Sequence, residues 1–370
     1  MSDVSNDGFV PLFDGVSLAG WHAAPRIYGS VYPGGPSVLE HFDSLGLERP
    51  VEPEKHPARW KVEDGVLVGE QDAPGSGYGG YLVSDQAFGD FELLLEMRPD
   101  WPADTGVMIR RQRDSWEGFQ VLVDHRPSGG IGGFFGNGLA SFSAVPFAID
   151  VVRDDAGRPT GLVADNPATS VEPVTEAKRD RLSYAADVDD FLKVWRWDDW
   201  NELRIRCVGA MPVITTWING VKIAELDTAA LESPNYDADA VFEVLGDRGH
   251  IALEVHDNDS MFGEAAGVSG RNAGGGTSGS RNSRPAPAGA HSDTDPPTRP
   301  ALRGMDRLCQ RHFRARLCHG RSAAGGTELD ARRPGPHPQR RRCAVAVGSF
   351  RGTGHRRTRK DSCHWHSGPQ

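Results

Sequence analysis

Short runs in which apolar and polar residues alternate, cut by Gly, Pro, Asn and Asp, fill most of residues 8–259. A period of two belongs to an extended strand with one face buried and the other solvated. In "DFELLLEMRP", Phe91, Leu93, Leu95 and Met97 lie opposite Glu92, Leu94, Glu96 and Arg98. "GFQVLVDH" sets Phe119, Val121 and Val123 against Gln120, Leu122 and Asp124, and "WNELRIRCVG" sets Leu203 and Ile205 against Glu202, Arg204 and Arg206. "TGVMIRRQ" puts Val107 and Ile109 on one side and Met108 and Arg110 on the other. "GHIALEVHDND" turns Ile251, Leu253 and Val255 away from His250, Ala252, Glu254 and His256. Asn219-Gly220 in "TTWINGVKIAEL" and Asp64-Gly65 in "WKVEDGVLVGE" each sit between two such runs. Both positions of a two-residue hairpin turn need positive φ, which Asn, Asp and Gly tolerate. The pattern predicts an all-β sandwich or jelly roll of two antiparallel sheets. "SVLEHFDSLGLE" reads as one short helix in an early insertion, and residues 127–195 form a second long excursion.

The pattern stops near Glu264, where the chain changes material. Residues 265–370 carry 20 Lys and Arg, 19 of them Arg, against 6 Asp and Glu, leaving 21 against 45 of the chain's 41 and 51 for residues 1–264. The overall charge of −10 therefore describes neither part. The first part is acidic and long enough to bury a core, and an acidic surface repels phosphate backbones, so nucleic acid is not its expected partner. The second part is too poor in large apolar residues to offset chain entropy and is expected to be a disordered Arg/Gly/Pro/Ala-rich tail. Arg in place of Lys, with no regular spacing, is what a shifted frame of GC-rich DNA would encode; a basic binding arm is the functional alternative. Cys309, Cys318, Cys343 and Cys363 lack metal-ligand spacing, and Cys207 sits in a strand as a small buried hydrophobe. "MSDVSNDGFVPLFDG" has neither a basic nor an apolar leader region, and no run is long enough to span a membrane. A cytoplasmic location and no membrane partner are the expectations. The expected domains are residues 6–264 and 265–370.

Sandwiches solvate their outer faces. Here several outer positions carry carboxylates, amides, Arg and imidazole: Glu92, Glu96, Arg110, Gln120, Asp124, Glu254 and His256. For any one of them an ordinary solvated face explains the residue. Taken together, with Trp60 and Tyr81 in nearby segments as aromatic platforms, they suit a carbohydrate.

In order, "GFVPLFDGVSLAGWH", "WKVEDGVLVGE", "GGYLVSDQAFGDFELLLEMRP", "DTGVMIRRQ", "EGFQVLVDH", "WNELRIRCVG", "ITTWINGVKIAEL" and "GHIALEVHDND" resemble the 3-keto-disaccharide hydrolase family. The resemblance spans residues 8–259 and implies a concanavalin-A-like jelly-roll sandwich. It aligns Arg110, Gln120, Asp124 and His256 with family positions; Glu254 stands where Gln is common, and Asp257 where Gly follows the His. It also implies one further strand after the His-bearing one, so the domain is expected to lack its last strand.

The resemblance implies cleavage of glycosides oxidised at C3, by hydrolysis or by elimination. A ketone at C3 acidifies the C2 proton; a base removes it, and the C1 oxygen leaves. His256, Asp124 or Glu254 can serve as the base, and Arg110 as the enolate's partner. No cofactor is certain; a divalent metal on Asp124, Glu254 and His256 is the alternative to Arg110. Gln120, Glu96, Trp60 and Tyr81 are expected to bind the sugar. Two rival readings stand beside this one. The first is glycoside hydrolysis by two carboxylates, Glu96 with Asp124 or Glu254. The second is a non-catalytic carbohydrate-binding module.

Overall fold

The computed structural model describes residues 9–40, 52–73, 76–257, 313–316 and 346–348. In chain order the strands begin with β1 (Phe9–Pro11), β2 (Trp21–Pro25), β3 (Arg59–Glu63), β4 (Val66–Glu70), β5 (Gly80–Phe88) and β6 (Phe91–Pro99). Next come β7 (Gly106–Arg111), β8 (Gly118–Val123), β9 (Ile131–Asn137), β10 (Ser143–Ala144), β11 (Ile149–Arg153), β12 (Pro159–Ala164) and β13 (Tyr184–Ala185). The last are β14 (Asn201–Val208), β15 (Val213–Ile218), β16 (Val221–Asp227), β17 (Gly249–Val255), β18 (Phe313–Arg316) and β19 (Ala346–Gly348).

Two antiparallel sheets form a jelly-roll sandwich. One runs β10-β9-β8-β7-β17-β5-β2. The other runs β13-β16-β15-β14-β6-β18-β4-β3, with β19 joining β1 to β6. A separate β11–β12 ribbon lies in the long excursion. The alternating residues do what their period dictates. Phe119, Val121, Val123, Ile251 and Leu253 from one sheet meet Phe91, Leu93, Leu95, Met97, Leu203 and Ile205 from the other in a single core. Cys207 is buried there with a free thiol. Both hairpin turns form as expected, with φ of 47° and 86° at Asn219-Gly220 and 51° and 79° at Asp64-Gly65.

β4 and β6 do not pair with each other. β18 lies between them, matched to Glu96–Pro99 on β6, and β19 matches Glu92–Leu94 farther along the same strand. Two short pieces from beyond Glu264 thus occupy the line that one further strand would fill. The other residues of 265–370, including the four tail cysteines, lie outside the described residues. Among the described residues no helix is long and apolar enough to cross a membrane.

Candidate functional site

The outer face of the seven-stranded sheet is polar, as the alternation predicts, but it is buried rather than solvated. Glu254, Asn137 and Tyr81 are fully enclosed, and Gln120 is nearly so. Gln120 Nε2 donates to Glu254, and Asn137 Nδ2 donates to Gln120 Oε1 at 3.0 Å. These side chains come from β17, β8 and β9, and the pleat gives them a common direction.

The chain just past β2 supplies the counter-charge. Arg26 Nη1 lies 2.9 Å from Glu254 Oε1 and 2.8 Å from Asp257 Oδ1, and Tyr28 Oη donates to Asp257 Oδ2 at 2.9 Å. From Gly29 to Val38 the chain forms a small hairpin closed by Ser30–Ser37 and by Val38 N to Gly29 O. Tyr28, Val31, Val38 and Leu39 pack with Trp116 beside the cluster. Gly29 is required at that contact, because a Cβ would stand 2.7 Å from the Trp116 ring.

At one end of this face β7 and β8 are prolonged by an Ala103–His125 bridge. Alternation puts Asp104, Asp124 and Arg126 on the outer side there. Arg126 Nη2 lies 2.8 Å from Asp104 Oδ2, and its Nε donates to Asp124 Oδ1 at 2.7 Å. His256 Nε2 stands 3.6 Å from Asp104 Oδ2, and its Nδ1 is 2.7 Å from the Asp257 carbonyl oxygen.

The two neighbouring carboxyls are driven apart. Burial pushes Asp124 up to about 8, with the negative Asp104 adding to the rise and Arg126 opposing it. Burial would raise Asp104 too, but Arg126, His256 and Arg26 hold it below the usual carboxylate range. Burial and Arg26 press His256 downward, yet Asp104, Asp257 and Glu254 outweigh them and raise it. Burial raises Glu254 against the pull of Arg26 and His256. One proton-holding acid, one ionised acid and one imidazole therefore share this end of the face. Around them several buried polar atoms lack a hydrogen-bond partner: Arg26 Nε, Tyr81 Oη and Asn137 Oδ1. Such groups cost free energy unless something binds them.

Of the residues expected from sequence, His256, Asp124, Glu254, Gln120 and Tyr81 come together on this face. Arg110 does not. Its φ of 52° makes a bulge in β7, and it turns inward, donating through Nη2 to the Gly209 carbonyl at 2.7 Å. The bulge gives the outward position to Arg111, whose guanidinium stacks 4.6 Å from the Tyr81 ring centre. Glu96 stands on β6 in the opposite sheet, matched to Glu202, so the Glu96 pairings of the two-carboxylate reading are not assembled. Trp60 is also in that sheet, where it covers Gly69 and packs against the core. The metal alternative does not fit either. Among the described residues no three His, Cys, Asp or Glu side chains converge as a ligand set, and the Glu254 and Asp124 carboxylates are occupied by Arg26, Gln120 and Arg126. Sequence reasoning missed Arg26, Tyr28, Asp104, Arg111, Arg126, Asn137 and Asp257. Arg126, two residues past Asp124, and Asp104, four residues before Met108, carried a usable signal in the same alternation.

A sequence model of the family described as "3-keto-alpha-glucoside-1,2-lyase-like domain" matches residues 8–264. No curated protein matches the chain. Among solved structures, a candidate glycosyl hydrolase from Parabacteroides distasonis ATCC 8503 is similar at 18% identity, over 53% of this chain and 81% of that one, with a TM-score of 0.31. A carbohydrate binding module from Bacillus subtilis is similar at 12% identity, over 54% and 84%, with a TM-score of 0.29. A legume lectin-like domain from Entamoeba histolytica is similar at 12% identity, over 57% and 87%, with a TM-score of 0.27.

Proposed function

The chain belongs to the 3-keto-alpha-glucoside-1,2-lyase-like domain family, and from that premise we propose that the outer-face cluster cleaves glycosides carrying a ketone at C3. His256 takes the C2 proton, with Asp104 holding the imidazolium that forms. The C2–H electron pair moves toward the C3 carbonyl oxygen, and an enolate results. Arg126 or Arg26, both permanently charged, holds that oxygen. The enolate then collapses, the C1–O bond breaks, and Asp124 gives its proton to the departing oxygen. Addition of water to the unsaturated product completes a net hydrolysis, and release before that step makes the same reaction an elimination.

The observation that carries the reading is the split between Asp104 and Asp124. Of these two groups joined by one arginine, Asp124 keeps a proton to give as the acid, and the ionised Asp104 holds the imidazolium of the base His256. The test is turnover of a 3-keto-α-glucoside, followed by release of the aglycone. Replacing His256 with Gln should lower kcat by about 10²–10⁴-fold, the span of general acid–base catalysis. Equal turnover by parent and variant would remove His256 from the chemistry. A carbohydrate-binding module is the second reading, favoured by the full enclosure of Glu254 between Arg26 and Gln120. It requires a parent protein that binds the keto sugar and leaves it intact.

A further inference from the structure

The Ala103–His125 bridge has two sides. Its strands are tied by Ala103 N to His125 O at 3.0 Å and His125 N to Ala103 O at 2.8 Å. Asp104, Asp124 and Arg126 occupy one side; His125 points to the other, into a cluster of indoles. Its ring centre lies 5.0 Å from Trp101 and 5.4 Å from both Trp195 and Trp197. Trp101 and Trp197 are only partly buried, and their rings meet at 6.0 Å with a 51° tilt, forming an open V. The Arg98–Asp198 ion pair, at 2.8 Å, borders it.

Two buried polar atoms of this aromatic cluster are left unmatched. His125 Nδ1 is 3.0 Å from the Asp100 carbonyl, so Nδ1 carries the hydrogen and Nε2 is left as an acceptor. His125 is 2% exposed, and its Nε2 has no partner. The buried Trp195 Nε1, a donor, has none either. A hydroxyl both donates and accepts, and so complements this pair. Flat aromatic surface, a charged border and an unmet donor and acceptor are together the recognition chemistry of a pyranose ring, with its apolar C–H face and its hydroxyl edge.

We infer that Trp101 and Trp197 form a stacking subsite for a second sugar unit of the substrate, with a hydroxyl of that unit met by His125 and Trp195. The inference rests on the proposed glycoside-cleaving reading, since the same short bridge carries Asp104 and Asp124 on one side and this subsite on the other. It makes the protein selective for disaccharides over glycosides with a small aglycone.

Two measurements test it separately from the chemistry. In the first, the full-length protein is titrated with an unoxidised glucose disaccharide and followed by tryptophan fluorescence. The parent should bind, Trp197→Ala should bind at least about tenfold more weakly, and Trp197→Phe should restore most of the loss. In the second, kcat/KM is compared for a 3-keto-disaccharide and for methyl 3-keto-glucoside. Trp197→Ala should lower the ratio of the two about tenfold. An unchanged Kd and ratio in Trp197→Ala, or a parent that shows no disaccharide binding, would overturn the subsite. A parent that binds the disaccharide in a Trp197-dependent way but turns over neither keto sugar would leave the subsite standing and defeat the proposed reaction.

Discussion

Replacing Arg26 with Met should destabilise the domain severely, and the size of the loss follows from its two partners. Arg26 lies within 3 Å of a carboxylate oxygen of both Glu254 and Asp257, and the three side chains are 7%, 0% and 5% exposed. Removing one member of a buried ion pair costs about 3–5 kcal/mol, mostly because the remaining charge is left without water or a partner. Two carboxylates are left here, so the upper end applies, against a total of about 5–15 kcal/mol for a domain. The assay is urea denaturation at pH 7.5 and pH 5, followed by tryptophan fluorescence. Adding Glu254→Gln to Arg26→Met removes one stranded charge, so the double variant should recover about 1–3 kcal/mol relative to additivity. The sign with pH follows as well. Without Arg26, Glu254 is raised further above its ordinary range, so folding takes up a proton. The deficit of the variant should therefore shrink as pH falls and the stranded Glu254 becomes neutral. A loss under about 1 kcal/mol, with an additive double variant, would be the behaviour of an exposed pair and would refute the claim that Arg26 and its two carboxylates form a buried cluster.

The remaining expectations concern neighbouring residues. A Cβ on Gly249 would lie 2.5 Å from the Arg110 backbone, so Gly249→Ala should cost about 2 kcal/mol or more in thermal denaturation by displacing the β7 bulge. Arg110→Met should lower stability while the pH profile of turnover keeps its shape, whereas Arg111→Met, which strips the guanidinium from Tyr81, should raise KM for the sugar. The rate should rise as His256 loses its proton, above the ordinary imidazole range, and fall as Asp124 loses its own near about 8; Asp124→Asn should cut kcat and abolish that alkaline limb.

Period-two alternation made the sandwich legible, because a strand's inner residues must all be apolar for two sheets to close on one core. The same parity found Gln120, Asp124 and Glu254. It failed at Arg110 because one residue at positive φ shifts every later side chain to the other face, and nothing in "MIRRQ" announces the bulge. It failed at Glu96 and Trp60 for a different reason: alternation tells which side of a strand faces out, not which sheet the strand joins. Arg26 was invisible because it follows a strand in irregular chain, where no period operates, and its role comes from residues far away in sequence. Beyond Glu264, Phe313 and Ala315 alternate with Arg314 and Arg316 where β18 pairs, but four residues in a stretch otherwise without period do not announce a strand.

Deuterium incorporation at C2 is the most direct probe of the reaction. A 3-keto-α-glucoside is incubated with the protein in deuterated buffer and the recovered substrate and product are read by proton NMR. Abstraction of the C2 proton by the outer-face cluster requires that proton to be lost, read as deuterium at C2 of the hydrated product or as a C2 without hydrogen in the eliminated one, and the loss should disappear with the His256→Gln variant. Cleavage that leaves C2 fully protonated would mean that the glycosidic bond breaks without an enolate, contrary to the role given to His256, Asp104 and Asp124.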